Sequence, residues 1–237
     1  MEKDRLFLSL VCMSQSELKK FLEKELILNY GSRNVICRDG YLMARGETPV
    51  TLIAHLDTIH KTLTGMNDII INGDCVTSKY GIGGDDRCGI WVILSLIRQG
   101  MKPTIIFTED EEIGCIGAQK LCENRYALEL IKRTNFIVEL DRRGNNDAVF
   151  YDCENRMFQN FIISKGWKLE YGSSSDISYI APTCNRAAVN LSVGYYKPHT
   201  TDEYVNLKEL KEIKLRVQKL VASQRYERRI YRYEEEC

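Results

Sequence analysis

Five residues of metal-ligand type, His55, Asp85, Glu112, Asp141 and His199, each stand just past the end of an apolar strand-like run or at the head of the helix that follows. In an open α/β sheet the strand carboxyl ends share one edge, so ligands far apart in sequence can converge there. Two imidazoles and three carboxylates form a mixed N/O set that suits zinc, cobalt or manganese rather than a soft thiolate site. Five protein ligands are too many for one catalytic zinc with an open position. They serve two ions if one carboxylate bridges, leaving three protein ligands and a shared water for each. Taken singly, a strand-end His is commonly a satisfied polar group, and an acidic run such as Glu109 to Glu112 is commonly a solvated loop. Joint placement carries the argument: of only three histidines in the chain, two occupy strand ends in the same arrangement as the acids.

The elements that must position these residues are legible in the patterning. Ser14 to Glu17 is a capping box opening a helix with Leu18, Phe21, Leu22 and Leu26 at helical spacing, ended by Gly31. Asp39-Gly40 and Asn72-Gly73 mark tight hairpins. Val50 to Ala54, Thr104 to Thr108 and Phe136 to Leu140 are continuous apolar runs, as expected of strands buried on both faces, and they deliver His55, the Glu109 to Glu112 run and Asp141. A helix is expected from about Arg87 to Gln99, stopped by Gly100, and another through Ala118 and Leu121. Further on, strands near 148–151, 168–171 and 187–193, helices near 155–165 and 175–180, and a closing amphipathic helix from Leu207 to Val221 are expected. The Tyr226 to Cys237 tail reads as a solvated, frayed end. Alternating strands and helices predict a three-layer αβα sandwich around a mixed, largely parallel sheet.

Composition admits this scaffold and excludes others. The chain has 237 residues, 44% of them hydrophobic, enough for a real core. Its 33 basic and 33 acidic residues cancel, so nothing global steers it to nucleic acid or an anionic membrane. No apolar stretch approaches the ~18 residues of a transmembrane helix. Nine cysteines without a C-x-x-C pair, and an apolar run at Leu6 to Met13 too short for a secretory signal, point to a reducing cytoplasm. Gly81-Ile-Gly83-Gly84 lacks the Gly-Lys-Ser/Thr of a phosphate cradle. Cys88 and Cys115 read as small packing residues at helix starts, and His60 as a bystander or a substrate contact.

His55-Leu-Asp57-Thr58, Gly84-Asp85-Asp86-Arg87-x-Gly89, Asp110-Glu111-Glu112-x-Gly114, Asp141 and Gly194-Tyr-Tyr-x-x-His199-x-x-x-Glu203 follow one another in order. In order, spacing and strand context this resembles the motif blocks of the di-zinc exopeptidases and deacylases, the family of peptidase T, carnosinase-type dipeptidases, succinyl-diaminopimelate desuccinylase and acetylornithine deacetylase. The resemblance spans about residues 50 to 205. It implies that His55 and Asp141 complete one zinc site, Glu112 and His199 the other, with Asp85 bridging and Asp86 in support. It implies further that Asp57 fixes the tautomer of His55 and that Glu111 is the general base acting on a water between the two zinc ions, with cobalt or manganese as possible substitutes. Glycines 81, 83 and 84 would let the backbone approach the metals closely and shape the turn into the helix. Ser173 to Asp176 is similar to the family's Gly-Gly-Thr-Asp-type loop. Asp rather than Glu at position 141 implies an aminopeptidase or dipeptidase acting on short peptides. A deacylase of N-acyl amino acids, or an inactive binding module on the same scaffold, is the alternative.

Many members of that family carry a lid or dimerisation domain inserted after the residue matching Asp141. Here only residues 142 to 198 separate Asp141 from His199, so residues 1–237 are expected to form a single catalytic domain without a lid. Such a domain would be a monomer or an oligomer not mediated by a lid. Its cleft should be walled by loops around 60–67, 115–116, 142–147, 173–176 and 195–201.

Overall fold

A computed structural model describes residues 4–235. In chain order the elements are α1 (Arg5–Val11), α2 (Gln15–Tyr30), β1 (Val35–Arg38), β2 (Tyr41–Ala44), β3 (Thr48–His55), β4 (Ile69–Asn72), β5 (Cys75–Ser78) and α3 (Gly84–Arg98). Then come β6 (Pro103–Thr108), α4 (Ile116–Cys122), α5 (Arg125–Ile131), β7 (Phe136–Arg142), β8 (Asp147–Val149) and α6 (Arg156–Ser164). The chain continues through β9 (Lys168–Glu170), α7 (Ile177–Cys184), β10 (Ala188–Ser192), β11 (Tyr195–Tyr196), β12 (Tyr204–Asn206) and α8 (Leu207–Ser223).

Eight strands form one sheet in the order β1-β2-β6-β3-β7-β10-β8-β9. At its centre β6, β3, β7 and β10 run parallel, while β2 against β6 and β8 against β10 are antiparallel. The central strands alternate their side chains between two cores. Leu52 and Ala54 of β3, with Phe107, Val138 and Leu191, face a layer of α1, α2, α3, α6 and α8. Ile53, with Ile106, Ile137 and Ala188, faces α4, α5 and α7. This is the expected three-layer sandwich with a mixed sheet, and continuous apolar runs are what two covered faces require.

Both dipeptide turns form as expected, Gly40 and Gly73 each adopting positive φ between paired strands. Ser14 closes a full capping box with Glu17 at the start of α2. Four short elements were not anticipated. The apolar run near the start is helix α1, capped by Asp4, whose Oδ1 accepts the Phe7 N–H at 3.2 Å. Helix α5 is capped in the same way by Asn124. Strands β11 and β12 extend the β4–β5 hairpin into a second sheet, β11-β12-β5-β4, which packs Val76, Tyr195 and Val205 into the larger core.

The tail corrects the sequence expectation of a frayed end. Tyr231 is only 6% exposed and its ring lies 5.2 Å from Phe158, 5.5 Å from Phe161 and 6.0 Å from Phe136. Its N–H donates to Asn135 O at 2.8 Å and its carbonyl accepts from Ala187 N at 3.0 Å, so the segment straps the amino ends of β7 and β10. An aromatic side chain seated in a ready-made cluster stabilises by roughly 1.5–3 kcal/mol, which offsets the ordering of a few residues. Residues 236 and 237 of that tail lie outside the described residues. Among the described residues no helix is long and apolar enough to cross a membrane.

Candidate metal centre

The carboxyl ends of β3, β6 and β7 lie side by side, and all five proposed ligands meet there. His55, the last residue of β3, is 1% exposed. Its Nε2 lies 2.9 Å from Asp85 Oδ1 and 3.4 Å from Asp141 Oδ1. His199 Nε2 lies 3.0 Å from Glu112 Oε2 and 3.4 Å from Asp85 Oδ2. Two groups result, His55 with Asp85 and Asp141, and Asp85 with Glu112 and His199, each with its ligand atoms within 4.8 Å of one another. Asp85 belongs to both and turns one oxygen towards each.

Asp57 joins the first group to the acidic run. Its Oδ1 is 3.2 Å from His55 Nδ1 and accepts the Glu111 N–H at 3.0 Å, while Oδ2 accepts the Glu112 N–H at 3.0 Å. Burial alone would raise the pKa of this carboxyl, yet the hydrogen bonds from His55 and the two backbone groups hold it down at about 2. Ionised Asp57 is placed to accept the Nδ1–H of His55, which would leave Nε2 as the ligand atom on the side of Asp85 and Asp141.

Asp85 is presented by the turn ahead of α3. Gly83 is left-handed (φ 66°, ψ 39°), the Asp85–Asp86 peptide bond is cis, and regular helix begins only beyond Asp86. Asp86 does not face the clusters: it accepts the His55 N–H at 3.2 Å and the Gly89 N–H at 2.9 Å. The glycines shape this turn as expected, Gly81 and Gly83 both taking positive φ. A Cβ on Gly81 would lie 2.1 Å from the His60 ring, and one on Gly84 would lie 2.5 Å from Val205, so both serve packing of the turn against its neighbours.

Several positioning residues were not assigned a role by sequence reasoning. Glu203, fully buried, accepts from Gly83 N at 2.9 Å and Asp85 N at 3.0 Å. His60 Nε2 lies 2.6 Å from the same carboxylate, so His60 braces the turn and neither it nor its loop walls the cleft. Arg87 is buried and donates to the carbonyls of Leu10, Met13, Leu56 and Asp57, tying α1 to the segment after β3. Tyr195 donates its hydroxyl to the Asp141 carbonyl at 2.9 Å, and Asn190 Oδ1 accepts the Asp141 N–H at 3.0 Å. Cys115 is a packing residue as expected, its thiol donating to Glu111 Oε1 at 3.6 Å.

Crowding marks the electrostatics. Burial first, then the carboxylates of Asp85 and its neighbours, push the pKa values of Glu111, Glu112 and Asp141 each up to about 7. His199 is pushed the same way, to about 9, chiefly by its hydrogen bond with Asp85. Glu112 Oε1 is buried with no hydrogen-bond partner among the described residues. So many like charges beside an unpaired carboxylate oxygen are costly unless cations are bound, and the donor set fits zinc, cobalt or manganese. The clusters open into a cleft of about 330 Å³ whose other walls include Arg142, Arg143, Ser174, Tyr195 and Pro198.

No family model matches this sequence, and no curated protein matches it. Solved structures do. The fold is similar to that of aminopeptidase PepT from Bacillus cereus, at 16% identity and a TM-score of 0.69 over 95% of this chain and 98% of that one. It is similar to a tripeptidase from Staphylococcus aureus, at 14% identity and a TM-score of 0.70 over 96% of this chain and 100% of that one. A protein from Bacteroides vulgatus assigned as a zinc-dependent exopeptidase matches at 16% identity and a TM-score of 0.54, over 87% of this chain and 85% of that one. The chain therefore shares the three-layer α/β fold of these peptidase structures.

Proposed function

We propose that this chain is a metal-dependent exopeptidase that removes the N-terminal residue of short peptides. His55, Asp85 and Asp141 hold one divalent ion and Asp85, Glu112 and His199 a second, zinc being the ion that suits the donors best. The observation that carries the reading is the division of Asp85, with Oδ1 2.9 Å from His55 and Oδ2 3.4 Å from His199. Two ions so placed would polarise the scissile carbonyl and acidify a water between them.

The chain's own groups supply the rest. Glu111 lines the cleft beside Glu112, but only Glu112 belongs to a ligand group, which leaves Glu111 for proton transfer. Cations held nearby would lower its raised pKa, and ionised Glu111 would take a proton from the attacking water and pass it to the leaving nitrogen. Asp57 orients His55 and, through the Glu111 and Glu112 amides, the acidic pair. The resemblance read from the sequence supports peptide over N-acyl substrates, because Asp stands at position 141. Residues 142 to 198 are used by β7 to β11, α6 and α7 of the same fold, which supports reading the chain as one catalytic domain without a lid.

The test is metal analysis of purified protein together with a panel of short peptides and N-acyl amino acids. Two equivalents of transition metal and cleavage of peptides with free amino termini are expected. Absence of stoichiometric metal after zinc-replete purification would overturn the site, and turnover of N-acyl amino acids alone would reassign the substrate.

A further inference from the structure

Strand β9 ends the large sheet, and its outer edge is unpaired among the described residues. Its three residues, Lys168, Leu169 and Glu170, are all exposed. By contrast β1, at the other end of the sheet, is mostly half-buried, and Lys19 of α2 donates to its Arg38 carbonyl at 2.6 Å. In the parallel pairing of β9 with β8, the Lys168 N–H donates to Asn146 O at 2.8 Å. Successive residues of a strand turn their backbone groups to alternate sides. Lys168 and Glu170 therefore turn theirs inwards to β8, and Leu169 between them turns its N–H and C=O outwards. Side chains alternate as well: Leu169 faces the α6 layer with Ala148, and Lys168 and Glu170 project from the opposite face. Leu169 is 45% exposed, and Ile163, near the end of α6, is 40% exposed. Asp147, the acid opposite Lys168, approaches Arg142 at 4.0 Å instead, and neither Lys168 nor Glu170 belongs to an ion pair among the described residues.

We propose that a second copy of this chain docks along β9, antiparallel about a two-fold axis at Leu169, so that the two large sheets join edge to edge. Lys168-Leu169-Glu170 is complementary to itself in that register. The Leu169 N–H of each copy meets the Leu169 carbonyl of the other, and Lys168 stands opposite the partner's Glu170 twice over. The other registers fail on the same three residues. A shift by one residue sets outward-turned backbone groups against inward-turned ones and forms no hydrogen bonds. A shift by two restores the bonds but sets Lys168 against the partner's Lys168, or Glu170 against the partner's Glu170, and like charges directly opposite are destabilising. A parallel pairing in register makes both of those clashes. An edge lysine ordinarily discourages strand pairing. Here it lands on a glutamate and selects one arrangement, with the chain itself as the matching partner. The contact is short, below the ~1,200 Å² of a standard interface, so the dimer is weak and in exchange with monomer. It lies beside the candidate metal cleft, because the Tyr171 carbonyl just past β9 accepts from Arg142 Nη2 at 3.1 Å and Arg142 lines that cleft.

Sedimentation velocity on the full chain at about 5 to 500 µM tests this without reference to hydrolysis. Wild-type protein should pass from monomer towards dimer across that range, and more readily at low salt, since exposed ion pairs are screened. Lys168→Glu sets two pairs of like charge across the axis and should weaken association roughly tenfold or more. Adding Glu170→Lys to that variant exchanges the charges and should restore the dissociation constant to within about threefold of wild type. Leu169→Pro removes the outward N–H without taking a hydrogen bond from the β8 ladder, so it should abolish association and leave the thermal midpoint nearly unchanged. Should that variant fail to fold, the two charge reversals, both at exposed positions, decide the matter. Wild-type protein that stays monomeric throughout, a dimer indifferent to Lys168→Glu, or a double reversal that does not recover association overturns the proposal.

Discussion

Removing divalent ions by chelation should make the carboxylate cluster a pH-dependent weakness of the fold. In the chain alone Glu111, Glu112 and Asp141 titrate near 7, against ordinary values of 4.5, 4.5 and 3.8, because they are buried and crowded by like charge. An acid whose folded pKa is raised keeps a proton that the unfolded chain has already released. Its contribution is fully present below about 4.5 and is lost as pH rises through about 7. For Glu111, a rise from 4.5 to about 7 at roughly 1.4 kcal/mol per unit costs on the order of 3 kcal/mol at neutral pH and above. His199 acts in the same direction, since a protonated imidazole paired with Asp85 is stabilising below 6.5 and that gain is lost by about 9. Glu112 and Asp141 titrate with the same neighbours, so their contributions are not added separately.

A loss of about 3 kcal/mol is a large share of the 5–15 kcal/mol that holds a typical domain folded. At roughly 2–4 °C per kcal/mol for a chain of this size, the midpoint of thermal unfolding should fall by about 10 °C between pH 5 and pH 8. Zinc should reverse the trend, because binding expels protons from these same groups and grows stronger as they ionise. The assay is thermal unfolding of chelated and zinc-saturated protein at pH 5, 6, 7 and 8. A metal-free midpoint that is flat or rises across this range, or a zinc-induced increase that does not grow with pH, would refute the reasoning. On the acid side Asp57, held at about 2, adds stability that is present above 3.8 and lost as pH falls towards 2, so the metal-free chain should be most stable near pH 4 to 5.

Three further outcomes are expected. Glu111→Gln, nearly isosteric but unable to accept a proton, should lower peptide turnover by roughly 10²–10⁴ while mass-spectrometric metal content stays the same. His55→Ala should deplete chiefly one of two ions and His199→Ala the other. In wild-type protein timed chelation should strip the His199 ion first, since His199 is 50% exposed whereas His55 is 1% exposed. Tyr231→Ala should destabilise the fold by about 3 kcal/mol in urea titrations, with metal stoichiometry unaffected, because its ring fills the cluster at the opposite end of β7.

The proposed ligands were legible because each sits where a recognisable element ends. Val50 to Ala54 announces β3 as an apolar run of five residues, all of them buried, and His55 is the residue that ends the strand. The same holds for Glu112 after β6 and Asp141 near the end of β7. The short elements were harder to read. With two and three residues, β11 and β12 are too brief for a period of 2 to show. Helices α1 and α5, seven residues each, announce themselves only by the caps Asp4 and Asn124. The tail misled for another reason. Its Arg, Tyr and Glu mixture is that of a solvated end, but one tyrosine finds three phenylalanines that sequence distance hides.

The supporting residues were invisible for a more basic reason: nothing in their type or spacing states whom they touch. Glu203 stands four residues beyond His199 and closes the last motif block, but neither its type nor its spacing says that it accepts the N–H groups of Gly83 and Asp85. It thereby ties the segment carrying the last proposed ligand to the turn carrying the shared one, more than a hundred residues earlier. His199 needs such a tie, for it has a φ of 63° and sits half-exposed on a loop. His55, by contrast, is held by its own strand, by Asp57 and by the Asp86 carboxylate on its backbone. One half of the centre is thus built into the sheet, and the other is strapped on by a buried carboxylate. The first half can be read along the chain. The second exists only once the chain has folded back on itself, which is why motif order could locate His199 but not explain how it is held.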